Sequence, residues 1–256
     1  MTVTSARTKD HRGRVRIEEG GKRVRAVLGG EVVADTARPV LVWEVPYYPA
    51  YYIPLADVRA ELRPDGGTVH SPSRGDARTS TVVAGGREAQ GAAWRYEDSP
   101  IEALRDLVRL DWAAMDAWFE EDEEVFVHPR DPYSRVDTVH SSRHVRVEIR
   151  GVVVAETHRP VLLFETGLPT RYYIPKQDVR MDLLVPTSSV TRCPYKGVAR
   201  YWSGPIGDEM IQDIVWSYPA PIPECPKIEN LLSFYNERVD LYVDGVLLDD
   251  PITPFS

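Results

Sequence analysis

The chain has 256 residues, 43% of them apolar and 27% charged, and a net charge of −8. That is enough length for one large or two ordinary globular domains. The acidic balance, which holds on both sides of Ser142, gives no footprint for a phosphate backbone, so no nucleic-acid partner is expected. No apolar run approaches the roughly 20 residues of a membrane helix.

The first 22 residues are polar and read as a flexible lead-in, with one early strand at Val15-Arg16-Ile17. Met1 to Arg16 has no apolar h-region, so no signal peptide is expected. Beyond the lead-in the chain repeats itself. Val24–Leu62 aligns without a gap on Val145–Leu183, and 20 of the 39 pairs are identical. A period this long indicates two globular copies rather than a solenoid. The boundaries expected are a first repeat domain over 23–124, a connector over 125–142 and a second repeat domain over 143–256.

Each copy opens on β-patterned runs. Val24–Leu28 and Glu31–Thr36 flank Gly29-Gly30, a hairpin signal. Val40–Val45 is apolar enough for a core strand, and a Tyr-rich stretch ends at Pro54, or at Pro175 in the second copy. Strands follow at Val58–Leu62, Thr79–Ala84 and Ala92–Tyr96. Their second-copy counterparts are Val179–Leu184, Ala199–Ser203 and Ile214–Tyr218. Ser99-Pro100-Ile101-Glu102 is a capping box with Pro at the first helical position, and apolar residues continue at helical spacing. One main helix per copy is therefore expected, here and at Pro226–Tyr235. Glu120 to Glu124 is an acidic run, read as a solvated linker edge; the alternative is a divalent-ion site.

Residues shared by both copies belong to the frame or to a site that both once had. Arg38 and Glu44, like Arg159 and Glu165, lie six apart on one face of a strand. Either they form a salt bridge or the Arg holds an anionic group. Tyr52 and Tyr173 stand near Asp57 and Asp178, which cap the turn after Pro or line a pocket. Trp94 and Tyr96, and Trp216 and Tyr218, share a strand face as core or as cleft wall.

The copies differ at Arg192-Cys193-Pro194-Tyr195-Lys196-Gly197. The first copy has no Cys, Tyr or Lys there. A thiolate is an effective nucleophile, and a neighbouring cation favours it. The simpler reading is a small buried residue before a rigid turn, since all six histidines lie outside the stretch. The only other cysteine is Cys225. Two cysteines cannot build a zinc ribbon or a disulfide framework, and they fit a reducing compartment. Walker and GxGxxG patterns are missing.

Arg159–Glu165, Arg171–Leu184, Cys193–Gly197 with Tyr201-Trp202, and Asp213–Pro219 together resemble the domain-of-unknown-function family 427, whose label is nucleotidyltransferase-like. The resemblance covers nearly all of the second copy, and the first copy through Leu62 and at Trp94. It implies a β-tent fold in a tandem arrangement of bacterial type, and it implies no particular reaction. β-Tent domains commonly hold a four-cysteine zinc site, which this chain lacks the cysteines to form.

The expectation is a mainly β (α+β) protein of two tandem β-tent-like domains, cytoplasmic, with no metal or cofactor and with room for a homo-oligomer. The second domain would bind an unidentified small molecule in an aromatic cleft. Tyr173, Tyr195, Trp202, Trp216 and Tyr218 would line that cleft, with Arg159, Glu165, Asp178 and Lys196 as polar anchors and Cys193 at the rim. In the first domain the counterparts Arg38, Glu44, Tyr52, Asp57, Trp94 and Tyr96 would form a degenerate version. The alternatives are an enzyme with Cys193 as nucleophile or redox thiol, Lys196 as activator and Asp178 as acid/base, and a scaffold for a protein partner.

Overall fold

The computed structural model describes residues 15–206 and 209–253. The chain divides between Asp131 and Pro132 into two compact units. The first contains β1 (Arg16–Glu19), β2 (Val24–Leu28), β3 (Glu31–Thr36), β4 (Val40–Trp43), β5 (Ala50–Pro54), β6 (Glu61–Ser71), β7 (Gly75–Ala84), β8 (Arg87–Arg95), β9 (Leu107–Leu110), β10 (Ala117–Glu120) and β11 (Glu123–Val125). Seven of these form a sheet in the order β1-β4-β5-β9-β8-β7-β6, and the other four a sheet in the order β11-β10-β2-β3.

The second unit repeats this plan with β12 (Val136–His140), β13 (Val145–Ile149), β14 (Val152–Thr157), β15 (Val161–Glu165), β16 (Arg171–Tyr173), β17 (Val185–Cys193), β18 (Gly197–Ile206), β19 (Glu209–Ser217), β20 (Leu232–Phe234), β21 (Asp240–Val243) and β22 (Val246–Leu247). The order β12-β15-β16 continues through an isolated Ile174–Leu232 bridge into β20-β19-β18-β17, the counterpart of the seven-stranded sheet.

Hairpin chemistry sets the first contacts. Gly29 and Gly30 both take positive φ (62° and 78°), as the tight β2–β3 turn requires, and Arg150 and Gly151 do the same at β13–β14. At Gly29 an added Cβ would sit 2.6 Å from the Ala84 carbonyl, so only glycine fits there.

Side chains alternate across the large sheet and bury both its faces. In the first unit Leu41, Tyr51, Ile53, Val108 and Leu110 pack toward the four-stranded sheet with Val24, Ala26 and Leu28. Val42, Tyr52, Ala77, Tyr96, Leu104 and Leu107 form a smaller cluster on the other face. The second unit repeats both clusters, and its smaller one contains Leu163, Tyr173, Tyr201, Trp216 and Tyr218.

Three expectations need correction. The helices do not form: among the described residues every helical segment is a three-residue 3-10 turn, Glu102–Leu104 and Pro226–Ile228 among them. Leu107 and Val108 are adjacent because β9 is buried on both faces, and that run imitates helical spacing. The stretch read as connector holds β12, the second domain's first strand. Its Thr138–Leu163 pairing mirrors the Ile17–Val42 pairing of β1, the early strand expected at Val15–Ile17, which runs over Arg16–Glu19. Residues 1–14 of the lead-in lie outside the described residues. The acidic run is a hairpin rather than a linker edge, with Glu120 paired to Glu123 and Glu121 at φ 50°.

Candidate functional site

The smaller cluster of the second domain carries the chemistry-bearing side chains. Cys193 ends β17 and Gly197 starts β18, directly opposite each other. Between them Pro194-Tyr195-Lys196 makes the turn, closed by Lys196 N–H on the Cys193 carbonyl at 3.3 Å. Gly197 has φ 106°, and an added Cβ would lie 3.2 Å from the Ala220 carbonyl, so glycine allows the 220–222 segment to press on the turn.

This turn aims the Lys196 ammonium at Glu165 on β15, and the two form a direct ion pair. Both side chains are largely buried, 12% and 9% exposed. Tyr173 is fully buried beside them, and its hydroxyl accepts a hydrogen bond from Trp216 Nε1 at 3.1 Å. Burial raises the Tyr173 and Tyr218 phenols well above their usual range, so both stay protonated. Cys225 is buried behind the turn, with Sγ 3.7 Å from the Tyr195 carbonyl. Burial pushes its thiol up to about 11. Cys193 is half-buried, so it is the more accessible of the two thiols.

Only some of the expected site residues come together. Cys193, Tyr195, Lys196, Glu165, Tyr173, Trp216 and Tyr218 share one region, but Tyr173, Trp216 and Tyr218 are core residues rather than walls of an open cleft. Trp202 alternates to the opposite face of β18 and packs on the larger core. Tyr201 takes the expected place, its hydroxyl 2.7 Å from Thr191 Oγ1.

Asp178 accepts from Thr157 Oγ1 at 2.7 Å and from Arg159 at 3.0 Å. The Arg159 hydrogen bond holds its carboxyl below the usual range. Asp57 accepts from Thr36 Oγ1 at the same 2.7 Å, so this is a duplicated latch that ties the 3-10 turn to β3 or β14. The acid/base role expected for Asp178 has no geometric support, since none of its bonds joins the thiol region. The expected Arg–Glu bridge is also not made: Arg38 is exposed, and Glu44 lies 3.6 Å from Arg74 and 3.4 Å from Arg109.

Arg74 reveals what the sequence comparison obscured. Ser71-Pro72-Ser73-Arg74-Gly75 closes β6–β7 as Cys193-Pro194-Tyr195-Lys196-Gly197 closes β17–β18, with Ser71 opposite Gly75. Arg74 faces Glu44 as Lys196 faces Glu165. The first domain therefore keeps the cation–carboxylate pair, with Ser in place of Cys. Its cluster is also hydrogen-bonded differently: Tyr52 donates to Glu44 at 2.7 Å, and Trp94 donates to the Gly91 carbonyl at 2.8 Å. The Tyr96 hydroxyl is buried in the same cluster without a good hydrogen bond.

Sequence reasoning also missed Arg171 and Glu237. They form a bidentate pair at 2.6 Å and 2.6 Å, 7% and 0% exposed, with the guanidinium 5.6 Å from the Trp216 ring. Burial opposes ionisation of Glu237, but the Arg171 fork and the Thr253 hydroxyl outweigh it and hold the carboxyl below its usual range. Glu237 lies beyond every expected site position, and 66 residues separate it from Arg171, so no local spacing links the two charges.

These features define a class: tandem β-domains, each with a buried cation–carboxylate pair on a Pro-x-cation-Gly turn. A sequence model of the domain of unknown function DUF427 matches residues 16–121 and 137–245, and the chain belongs to that family. No curated protein matches it.

Proposed function

We propose that the protein binds a small molecule through the second domain, at the turn that carries Cys193 and Lys196. The observation that supports this reading is the Lys196–Glu165 pair, largely buried beside a half-exposed thiol and two protonated phenols. A buried ion pair is weak support for stability, because desolvation offsets the attraction. Perturbed groups gathered at one place are the pattern of functional sites. A ligand with an anionic or hydrogen-bond-accepting group would meet Lys196 and the Cys193 rim while its apolar part meets Tyr195.

Screening metabolites by thermal shift on the full chain tests the reading. A binder should stabilise the protein saturably, and Lys196→Met should abolish the shift. A shift that survives Lys196→Met would remove the site from this turn.

The second reading is an enzyme with Cys193 as nucleophile. What favours it is the contrast between the half-exposed Cys193 and the buried Cys225, whose thiol is pushed up to about 11. Iodoacetamide should then label Cys193 much faster than Cys225. Equal, slow labelling of both thiols would end that reading.

A further inference from the structure

The first domain contains a cavity of about 250 Å³ at the end of its large sheet, between the β4–β5 loop and the segment after β11. Its aromatic wall consists of Trp112, Trp118 and Tyr51. The two indoles stack at 5.0 Å and 3°, and Tyr51 leans on both at 5.8 and 6.2 Å. The polar ends of two of these rings are engaged within the protein: Trp118 Nε1 donates to the Trp112 carbonyl at 3.1 Å, and the Tyr51 hydroxyl to Glu120 at 2.5 Å. Tyr48 and His128 also line the cavity and stack on each other at 3.9 Å.

The polar part of the lining is Arg109 with Glu44. The Arg109 guanidinium lies 4.0 Å from the Trp94 ring, 3.4 Å from Glu44 and 3.3 Å from Asp111. Its Nε is the atom nearest Glu44, buried there without a well-formed hydrogen bond. Glu44 also faces Arg74, which leaves it a cation if Arg109 turns to a ligand.

Two further observations point to an occupant. Val45, Tyr48 and Val127 line the cavity yet are 41%, 37% and 54% exposed, an apolar rim open to solvent. Val127 also has φ 73°, with His128 N–H bonded to the Phe126 carbonyl at 2.9 Å. A β-branched residue in that region is strained, and such strain concentrates at binding sites.

The second domain has changed the same place. Its equivalent cavity is about 170 Å³ and has Asn236 and Leu241 where the first domain has Trp112 and Trp118. Arg171 stands in register with Ala50 and is buried there by its pair with Glu237.

We propose that the first domain binds a planar aromatic carboxylate in this cavity, its ring against the Trp112–Tyr51–Trp118 wall and its carboxylate toward Arg109. The volume suits one or two fused rings, at the small end of ligand pockets. This site is separate from the Cys193–Lys196 turn and does not depend on it.

Indole-3-carboxylate, benzoate and neutral indole, titrated into the full chain, test the proposal. Indole-3-carboxylate should change tryptophan fluorescence saturably, and neutral indole should bind at least tenfold more weakly. Ala50→Arg and Trp112→Asn, which install the second-domain residues, should each weaken binding at least tenfold. Val246→Thr, an exposed position outside both sites, should leave it unchanged. If either cavity variant fails to fold, the wild-type indole N–H resonances still decide: those of Trp112 and Trp118 should shift with ligand. No saturable binding by either carboxylate would overturn the proposal, as would shifts confined to the second domain. Equal affinity for neutral indole would overturn the role of Arg109.

Discussion

The two domains share a frame and have diverged at two neighbouring places in opposite directions. The first has Ser71 where the second has Cys193, but it keeps an open cavity walled by Trp112 and Trp118. The second has the thiol, its equivalent cavity is smaller and lined by Asn236 and Leu241, and Arg171 is buried there in a pair with Glu237. The cation over the sheet tryptophan is retained but delivered differently. Arg109 on β9 covers Trp94, and Arg171 on β16 covers Trp216. In the second domain the β20 position opposite Trp216 is Ser233, whose hydroxyl is buried without a partner. A duplicated fold can thus preserve an interaction while moving its source to another strand.

The comparison breaks most sharply at Arg171. Arg171→Ala leaves the fully buried Glu237 carboxylate unpaired, and removing one partner of a buried pair typically costs about 3–5 kcal/mol. Urea unfolding should show that loss, and pairing Arg171→Met with Glu237→Leu should recover most of it. A loss below about 1 kcal/mol would mean that Glu237 finds another partner when Arg171 is removed.

Lys196→Met should destabilise by a smaller amount, on the order of 2 kcal/mol, because Glu165 retains some solvent access. Lys196→Arg should restore stability, since Arg74 already serves at the matching position. Failure of that rescue would show that the two turns are not equivalent.

His128 separates the domains by pH. Burial lowers its pKa below the usual 6.5, so the unfolded chain binds this proton more readily than the folded one. Its contribution is fully present above about 6.5 and is lost as pH falls through that value toward the folded pKa. Hydrogen-exchange protection on β10 and β11, corrected for the intrinsic pH dependence of exchange, should fall between about pH 7 and 5, and His128→Phe should flatten that response. An unchanged pH response in the variant would assign the effect elsewhere.

The smallest effect tests the shared frame. Thr36→Val and Thr157→Val each remove one hydroxyl bond to an Asp, at about 1 kcal/mol apiece. Unequal costs in urea unfolding would show that Arg159, which bonds Asp178, adds to the latch in the second domain only.

Much of the strand plan was legible because it rests on local chemistry. Gly29-Gly30 and the alternation around it specify the β2–β3 hairpin, and the repeat carries the reading to β13–β14. Ser99-Pro100-Ile101-Glu102 misled because a cap describes only a helix start, whereas pairing to β5 and β8 decides what Leu107–Leu110 becomes. The kinship of Ser71–Gly75 with Cys193–Gly197 was hidden by a one-residue shift in offset and by only two identities in five. Paired cations and carboxylates show it at once.

The sequence by itself determined the duplication, the mainly β character and the residue types available at the Cys193 turn, because repeats, alternation and turn glycines are properties of neighbours along the chain. Tertiary structure alone decided that Lys196 meets Glu165, that Asp178 serves a latch, and that the wider cavity belongs to the first domain. Those outcomes depend on which side chains face each other across strands far apart in sequence. A single substitution in register, Ala50 against Arg171, illustrates how such facing partners set the space between them.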